Sequence, residues 1–291
     1  MIVGIIGQGA FGKAIRAELS RGGVEPVCVD AGETLAGKGP FDVVFLAVPA
    51  AALPEALADN QSAFRDALVV NTAKGMDERG RMPQAVVTEA LSGITFRYAA
   101  VFGPSLADDL LAGRPVGLTI AAKDAGDRAL LSTLLAKGNL LLDATDDVRG
   151  VELAGVMKNV YALLFGYADA IELGRSARAA LFSAAVREFE SFAKAEGASP
   201  DIVSFGALGD FALSALSNAS RNHAFGMELA ALAPADIEKR AAAKTVEGYR
   251  TVRILADQGL ITDAFPLLSA AHAIAARGAD AQPLVRGLFA S

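Results

Sequence analysis

Residues 2–12 read IVGIIGQGAFG, a short apolar run that leads directly into a glycine-rich turn. The apolar run predicts a buried parallel strand. Gly7, Gly9 and Gly12 then follow the pattern G-x-G-x-x-G, with a helical pattern behind them. The first glycine makes the tight turn, the second lets backbone approach a pyrophosphate, and the third allows close helix–strand packing. Because a helix N-terminus also attracts phosphate, we expect a dinucleotide-binding turn; a glycine turn without a ligand is the alternative.

Asp30 ends the next predicted strand, VEPVCVD at residues 24–30. A carboxylate at this place accepts a hydrogen bond from a ribose 2′-hydroxyl and repels a 2′-phosphate. Asp30 therefore favours NAD over NADP as the cofactor. An exposed acid at the end of a strand is the simpler explanation.

Strands and helices alternate through the first half of the chain. Apolar runs at 41–49, 67–75, 97–124 and 130–147 predict further strands, and such alternation is typical of a parallel sheet built from βαβ units. From residue 148 helical periodicity replaces the strand pattern. The predicted helices there cover 148–172, 176–196, 199–205, 220–231, 235–257 and 265–276. We therefore predict an α/β protein, with a shortened Rossmann-like domain at 1–146 and an all-α substrate-binding domain at 147–291.

Composition and charge narrow the class of protein. The chain has 291 residues and a net charge of −6, which argues against a nucleic-acid or anionic-membrane surface. Cys28 is the single cysteine, so an internal disulfide and a cysteine-based zinc cluster are excluded, which suits a reducing cytoplasm. With only His223 and His272, a histidine metal site is not expected either. No signal peptide or membrane span is visible, so we expect a cytoplasmic protein.

Lys158 is the only basic residue between Val151 and Glu172, a stretch that reads as one long helix. Small and apolar residues share its helical face (Ala154, Gly155, Tyr161 and Ala162). Burial in such surroundings disfavours the charged form of a lysine and lowers its pKa. Such a lysine gives or takes a proton near neutral pH. The alternative is a lysine whose stem covers apolar surface while its ammonium stays in water.

Two polar residues follow predicted strands of the first half. Lys74 lies in the loop Thr72-Ala73-Lys74-Gly75, and ligands bind at the carboxyl ends of parallel strands. A functional lysine is one interpretation, and an exposed loop lysine is the other. Ser105, with Asp108 behind it, fits a helix N-cap with an acidic first turn. A cap serine at this place can also face a substrate.

Three polar features stand out in the helical half. Asp210 ends the glycine-rich break GALGD (206–210), and Glu247 lies beside Gly248 within the predicted helix 235–257. Arg221 lies in the polar run SNASRN (217–222), before a helix. An arginine with serine and asparagine at a helix start suits a phosphate or a carboxylate. A turn acid, a packing glycine and a helix cap are the simpler explanations.

These motifs together resemble the NAD(P)-dependent glycerol-3-phosphate dehydrogenase family. The shared motifs occur in the family's order across nearly the whole chain: GQGAFG (7–12), TAKG (72–75), GPSLADD (103–109), VELAGVMKNV (151–160), GALGD (206–210), SNASRNHAFG (217–226) and VEGYRT (246–251). Only residues 31–41 separate Asp30 from the next strand, where the family usually has a helix, a strand and a loop. We therefore expect an abbreviated member, with NAD as cofactor and NADP as the alternative.

The resemblance implies the reversible reduction of dihydroxyacetone phosphate by NAD(P)H to sn-glycerol 3-phosphate. It implies that Lys158 gives or takes the proton at the C2 oxygen, beside Lys74 and Asp210 as further catalytic residues. The substrate-binding residues that it implies are Lys74, Gly103, Ser105, Lys158, Asn159, Asp210, Ser220, Arg221 and Asn222. The cofactor-binding residues that it implies are Gly7, Gly9, Ala10, Phe11, Gly12, Asp30, Lys74, Ala107, Arg221 and Glu247.

Two rival interpretations remain open from the sequence. One is a dehydrogenase for another small 2- or 3-oxo acid, because Arg221 binds a carboxylate as readily as a phosphate. The other is a non-catalytic dinucleotide-binding sensor, which the abbreviated cofactor domain favours and the retained lysines oppose. For the favoured interpretation we expect a small phosphorylated substrate, no nucleic-acid partner and a homodimer.

Overall fold

The computed structural model describes residues 1–199, 201–217, 220–244 and 246–289. Residues 1–152 together with 203–209 form one compact unit, and residues 153–202 together with 210 onward form a second. The first unit contains the sheet and the second consists of helices. Within the described residues no helix is long and apolar enough to cross a membrane.

The first unit is built on a seven-stranded sheet in the order β2-β1-β3-β4-β5-β6-β7. Its strands are β1 (Val3–Ile6), β2 (Val27–Val29), β3 (Val43–Leu46), β4 (Leu68–Asn71), β5 (Arg97–Phe102), β6 (Val116–Ala122) and β7 (Leu140–Thr145). Its helices are α1 (Ala10–Arg21), α2 (Leu53–Asp59), α3 (Pro83–Ala90), α4 (Ala107–Leu111) and α5 (Ala125–Leu135). The chain reverses its strand order between β2-β1 and β3, and ligands bind at such switch points.

The strands β1, β3, β4 and β6 are buried on both faces, as their near-continuous apolar sequences predict, whereas the edge strand β7 is partly exposed. In β3, Val44 and Leu46 pack into one core cluster while Val43 and Phe45 pack into another. Successive side chains of a strand point to opposite faces, so these two clusters are the two cores of a covered sheet. One strand pair departs from the prediction: β6 pairs antiparallel with β5, whereas the other strand pairs are parallel, so β6 and β7 run opposite to β1–β5.

The connection between β2 and β3 contains neither a helix nor a strand. Leu35 in its middle is fully buried, and its backbone N–H donates to Asn60 Oδ1 at 2.7 Å. The Thr34 hydroxyl donates to the carbonyl of Asp59 at 2.8 Å. One apolar anchor and two hydrogen bonds to the end of α2 thus attach this short connection to the unit. This is the abbreviated region that the sequence predicts.

Helices make up the second unit. They are α6 (Val148–Ala170, whose first residues belong to the first unit), α7 (Arg175–Ala195), α8 (Asp210–Leu216), α9 (Arg221–Leu229), α10 (Pro234–Ala242), α11 (Glu247–Asp257), α12 (Pro266–Arg277) and α13 (Gln282–Gly287). Two predictions were wrong. Of the described residues in the predicted helix 199–205, none before Phe205 is helical, and Phe205–Gly209 make one π-helical turn instead. The single helix predicted over 235–257 is two helices, α10 and α11.

Candidate active site

The glycine turn has the geometry that a dinucleotide requires. Gly7 has a φ of +100°, and a Cβ added there would lie 2.6 Å from the carbonyl oxygen of Ala47. A Cβ at Gly12 would lie 2.0 Å from the carbonyl oxygen of Gly7, so this glycine lets α1 pack against the turn. A Cβ at Gly9 would meet nothing within 4 Å. The first and third glycines are therefore required by packing, whereas the second faces open space that a ligand can fill.

The N-terminus of α1 follows directly. Gly9 is its N-cap, no side chain caps it, and its first turn contains no acid. Ala10 at this end is exposed, while Phe11 is half-buried and packs on the sheet core. The helix α1 has twelve residues and begins at this turn. Its first N–H groups and the positive end of its dipole therefore face a place where an anion can bind.

Asp30 lies beside the turn, where its Oδ1 accepts a hydrogen bond from the N–H of Gln8 at 3.2 Å. It lines a pocket of about 190 Å³ together with Gly7 and Pro49. Three further acids line the same pocket, namely Glu33, Glu55 and Asp59, and its lining contains no lysine, arginine or histidine. The four carboxylates make the part of this pocket around Asp30 anionic, which opposes the binding of an additional phosphate beside Asp30.

Lys74 follows β4 and is half-buried. Its Nζ donates to the carbonyl oxygen of Gly103 at 3.2 Å and lies 5.6 Å from the centre of the Phe102 ring. The Ser105 hydroxyl donates to the same carbonyl at 3.1 Å. The structure thus brings together Lys74, Gly103 and Ser105, three residues that the resemblance selects. Ala107, half-buried, starts α4 just behind them.

One local expectation was wrong here. Ser105 is not the N-cap of α4, because Leu106 occupies that position and no side chain caps it. The acidic first turn does occur, with Asp108 and Asp109. Gly103 is buried, and a Cβ added there would lie 2.0 Å from the carbonyl oxygen of Gly117. Close backbone packing therefore already requires a glycine at this position.

Lys158 lies on α6 with its side chain 11 % exposed. Its Nζ donates to Asp210 Oδ1 at 2.7 Å and to the Ser214 hydroxyl at 3.0 Å. Asp210 opens α8, its side chain is 2 % exposed, and Ser214 lies one turn further along the same helix. A carboxylate at this distance favours the charged ammonium. The prediction of wholly apolar surroundings, made from α6 alone, was therefore incomplete, because α8 supplies Asp210 and Ser214 as polar partners of Lys158.

Asn159, the next residue of α6, is buried and joins a second network. The Asn222 side-chain amide donates to Asn159 Oδ1 at 2.9 Å, and Asn222 Oδ1 accepts from the N–H of Gly248 at 2.9 Å. A Cβ at Gly248 would lie 2.1 Å from the carbonyl oxygen of Asn159. Gly248 is thus a packing glycine at the start of α11, and the two amides connect α6, α9 and α11.

Arg221 is the first residue of α9 and is exposed. Ser220 caps this helix, and its hydroxyl accepts from the N–H of His223 at 3.3 Å. Glu247 opens α11; its Oε2 is buried and accepts no hydrogen bond from the residues that the structure describes. Burial raises the pKa of Glu247, and the charges of Arg250 and Arg221 oppose that rise. An unsatisfied buried acceptor beside an arginine marks a place where a ligand with an N–H or O–H donor fits.

Sequence reasoning missed several residues around these groups. Glu33, Glu55 and Asp59 make the pocket of Asp30 acidic, and Phe102 lies under Lys74. Glu152 is also buried, at 1 % exposure, close to the loop of Lys74. A signal for it was present, since it is the lone acid in the apolar start of α6. Within the described residues, no group of three or more histidine, cysteine or acidic side chains is arranged to hold a metal ion.

The first unit has a dinucleotide-binding turn on a Rossmann-type sheet, and the helical unit has a buried lysine–carboxylate pair. This combination is typical of a nucleotide-dependent dehydrogenase. Family profiles give the particular family. The profile for the C-terminus of NAD-dependent glycerol-3-phosphate dehydrogenase matches residues 147–286, and the profile for its N-terminus matches residues 27–127. The chain belongs to the NAD-dependent glycerol-3-phosphate dehydrogenase family and is an oxidoreductase.

Known proteins agree with this assignment. The glycerol-3-phosphate dehydrogenase [NAD(P)+] of Cereibacter sphaeroides is 35 % identical over 277 residues, covering 88 % of this chain and 87 % of the relative. The enzyme of the same name from Methylobacterium radiotolerans is 39 % identical over 225 residues, covering 76 % of this chain and 67 % of the relative. These matches confirm the family resemblance and favour it over both rivals.

Solved structures share the fold. The crystal structure of glycerol-3-phosphate dehydrogenase from Coxiella burnetii matches with a TM-score of 0.84 over 99 % of this chain and 98 % of that chain, at 24 % identity. A ketopantoate reductase from Ralstonia eutropha matches with a TM-score of 0.56 at 19 % identity, over 99 % of this chain and 100 % of that chain. Both similarities concern architecture alone, and they confirm the predicted fold class.

Proposed function

We propose that this protein catalyses the reversible reduction of dihydroxyacetone phosphate to sn-glycerol 3-phosphate with a nicotinamide cofactor. The observation that carries the proposal is the pairing of Lys158 Nζ with Asp210 Oδ1 at 2.7 Å, in a chain of this family. A lysine held in a buried site by a carboxylate can give a proton to a developing alkoxide and take it back in reverse.

The residues of the glycine turn fit a dinucleotide. Gly9 leaves open space at the N-terminus of α1, and Gly7 and Gly12 are fixed by packing. We assign the pyrophosphate to Gly7, Gly9, Ala10, Phe11 and Gly12, with Lys74, Ala107, Arg221 and Glu247 as further cofactor contacts. When bound, the cofactor supplies or accepts the hydride.

We propose NAD(H) rather than NADP(H) as the preferred cofactor. Asp30 is suited to accept a hydrogen bond from a ribose 2′-hydroxyl. The three neighbouring acids of its pocket add negative charge beside Asp30, which would repel the extra phosphate of NADP. No lysine or arginine lines that pocket to compensate.

In the reduction, Lys158 Nζ gives its proton to the C2 oxygen of the substrate. Asp210 stabilises the ammonium before the transfer, and Ser214 orients it. Lys74 polarises the carbonyl or orients the substrate, because its half-buried cation stabilises developing negative charge. In the oxidation, the same nitrogen of Lys158 takes the proton back.

Substrate binding uses both charge and hydrogen bonds. We assign the phosphate to Ser220, Arg221 and Asn222 at the start of α9, where an exposed guanidinium and a helix N-terminus coincide. We assign the substrate hydroxyls to Asn159 and Asp210, and further substrate contacts to Gly103 and Ser105, which lie beside Lys74. Asn159 and Asn222 bond to each other in this structure, so substrate binding would rearrange their amides.

The domain division, the assembly and the location complete the proposal. We propose 1–146 as the cofactor-binding domain and 147–291 as the substrate-binding domain, a division supported by the two compact units. A homodimer, the absence of a nucleic-acid partner and a cytoplasmic location remain predictions from the sequence.

The experiment is an assay of purified protein with dihydroxyacetone phosphate, NADH and NADPH, beside a panel of 2-oxo acids. We expect saturable oxidation of NADH with the phosphorylated substrate and weaker activity with NADPH. Activity on an oxo acid alone would contradict the substrate assignment. Binding of NADH without turnover of any compound would support a sensor instead.

A further inference from the structure

Glu152 is a buried carboxylate for which the proposed chemistry has no use. It lies near the start of α6, in the compact unit that contains Lys74, and is 1 % exposed. A carboxylate removed from water needs hydrogen-bond donors around it. The identity of those donors indicates what Glu152 does.

Donors from three different elements meet this carboxylate. The Tyr98 hydroxyl on β5 donates to Oε1 at 2.5 Å, which is in the range of a charge-assisted hydrogen bond. The N–H of Gln84, in the first turn of α3, lies 3.1 Å from Oε1 and 3.3 Å from Oε2. The Asn71 side-chain amide, at the end of β4, donates to Oε1 at 3.4 Å. Since no side chain caps α3 at its N-cap Met82, Glu152 supplies an acceptor at that helix start.

Asn71 extends the network to the residue before Lys74. Its Oδ1 accepts from the N–H of Ala73 at 2.9 Å, and its amide nitrogen donates to the carbonyl oxygen of Ala73 at 3.1 Å. That carbonyl belongs to the peptide bond that joins Ala73 to Lys74. The carboxylate of Glu152 therefore contacts both Asn71, the residue before the segment 72–83, and Gln84, the residue after it. This segment contains Lys74.

We propose that Glu152 is a positioning residue, whose ionised carboxylate holds the segment 72–83 at both ends and thereby fixes Lys74. The inference rests on the proposed function for the role of Lys74 toward the substrate. A displacement of a catalytic group by about 1 Å can cost on the order of a hundredfold in rate. Rigid support from β4, β5 and α3 is what such a group requires.

The titration of Glu152 gives this arrangement a pH dependence. Burial raises the pKa of Glu152 to about 7, while the hydrogen bonds from Tyr98, Gln84 and Asn71 and the charge of Arg149 oppose the rise. Tyr98 on β5 and Arg149 on α6 are the titratable groups that act on it; α3 and β4 contribute neutral donors. Because these hydrogen bonds favour the ionised form, ionisation strengthens them in return. Release of the segment alone leaves Glu152 buried without these donors, so the segment is held more firmly above pH 7 than below it. Global unfolding is a different process, because it returns the carboxylate to water, where its pKa is ordinary.

Amide hydrogen exchange of the full chain tests the proposal without reference to any substrate. In the wild type, protection of residues 72–83, corrected for intrinsic exchange, should fall about tenfold between pH 8 and pH 6. In Glu152→Gln it should be low at both pH values. Equal protection of 72–83 in the two proteins at pH 8 overturns the proposal.

Steady-state kinetics supply the second readout. With dihydroxyacetone phosphate and NADH, Glu152→Gln should lose about 10- to 100-fold in kcat/KM while its Kd for NADH stays within about twofold. In the wild type, kcat/KM should decline as pH falls through about 7. This acid limb of the pH profile should be absent from Glu152→Gln. Tyr98→Phe keeps the carboxylate but removes a bond that lowers its pKa, so its acid limb should move to higher pH. If Glu152→Gln does not fold, Tyr98→Phe tests the proposal instead. An acid limb at the same pH in Tyr98→Phe and in the wild type contradicts the proposal.

Glu188→Gln is the matched control. Glu188 is also a buried glutamate; it accepts from the Tyr161 hydroxyl at 3.2 Å and from the N–H groups of Leu267 and Leu268 at 2.6 and 2.8 Å, at the start of α12. It belongs to the other compact unit, so its change should leave the protection of 72–83 and the acid limb unaltered. If the wild type does not reduce dihydroxyacetone phosphate, the proposed function fails, and hydrogen exchange still decides the role of Glu152.

Discussion

Asp210 and Glu152 are both buried carboxylates. Asp210 lies beside Lys158 of α6, and Glu152 lies close to the loop of Lys74, yet the charges of the two carboxylates are compensated differently. Asp210 has an ammonium 2.7 Å from its Oδ1, supplied by Lys158. The hydrogen bonds that the structure gives to Glu152 come instead from neutral donors, Tyr98, Gln84 and Asn71, and Arg149 acts on it through charge. An ammonium in contact compensates a buried charge far more completely than neutral dipoles do.

This difference matters for how each network handles a proton. In the first network Lys158 Nζ donates to Asp210 Oδ1 at 2.7 Å, and a carboxylate in contact favours the ammonium form of a lysine, which suits a group that we propose as the proton donor to a substrate. In the second network the carboxylate itself titrates, with a pKa of about 7. We therefore propose the first network for the chemistry and the second one for support that depends on pH.

Replacing Lys158 breaks the first network and should have the largest effect. We expect Lys158→Met to lower kcat by about a thousandfold or more, since a positioned acid or base contributes on the order of 10²–10⁴. The Kd for NADH should change little, because the proposed cofactor contacts do not include this residue. Wild-type rates in this variant would refute the assignment of the proton donor.

A double variant separates chemistry from stability. Lys158→Met alone leaves the carboxylate of Asp210 buried without its ammonium, which costs roughly 3–5 kcal/mol in unfolding free energy. Lys158→Met/Asp210→Asn removes both charges, so it should recover much of the stability measured by urea unfolding. It should recover none of the activity. Recovery of turnover in the double variant would mean that Lys158 only neutralises Asp210.

Glu152→Gln tests the second network through the pH dependence of the free energy of unfolding. The pKa of Glu152 is raised from 4.5 to about 7 in the folded protein, so between these values the folded state binds a proton that the unfolded state has lost. Its contribution to stability is therefore fully present below pH 4.5 and is lost as pH rises through 7. The loss amounts to about 3 kcal/mol at most. Urea unfolding at several pH values should show this decline in the wild type and not in the variant; parallel curves would contradict it.

The fold was largely predictable because its signals are local. The glycine turn follows β1 directly, and apolar runs mark each strand of the sheet. The antiparallel direction of β6 was not predictable, because an apolar run has the same sequence character in either direction. The break between α10 and α11 was missed because helical periodicity continues across it on both sides.

Candidate site residues can be recognised in the sequence where a single residue stands out from its surroundings, and less easily where a residue acts through others. Lys158 stands out in an apolar helix, but its bond to Asp210 joins residues far apart in the chain. Glu152 lies in the same motif, and the donors that explain it come from β4, β5 and α3. Only the folded chain brings those donors to one carboxylate.

A third acid, Glu247, extends the comparison because Arg221 and Arg250 both act on it by charge. Arg221→Ala should raise the KM for dihydroxyacetone phosphate about 30-fold and that for its dephosphorylated analogue hardly at all, since a charge-assisted contact contributes roughly 2 kcal/mol. Arg250→Ala is the control, because it removes a neighbouring charge and leaves the start of α9 intact. Equal effects of Arg221→Ala on both substrates would argue against phosphate recognition.

Asp30 offers the opposite case, a carboxylate that is exposed and surrounded by other acids, and its replacement should have the smallest effect. Asp30→Ala removes both the acceptor for a ribose 2′-hydroxyl and one negative charge of the pocket. We expect the ratio of kcat/KM for NADPH to that for NADH to rise about tenfold, and further in Asp30→Ala/Glu33→Ala. Glu25→Ala is the matched control, because Glu25 is an exposed acid before the same strand that Asp30 follows. An unchanged cofactor ratio in both Asp30 variants would show that the acids of this pocket do not select the cofactor, and that a group outside it does.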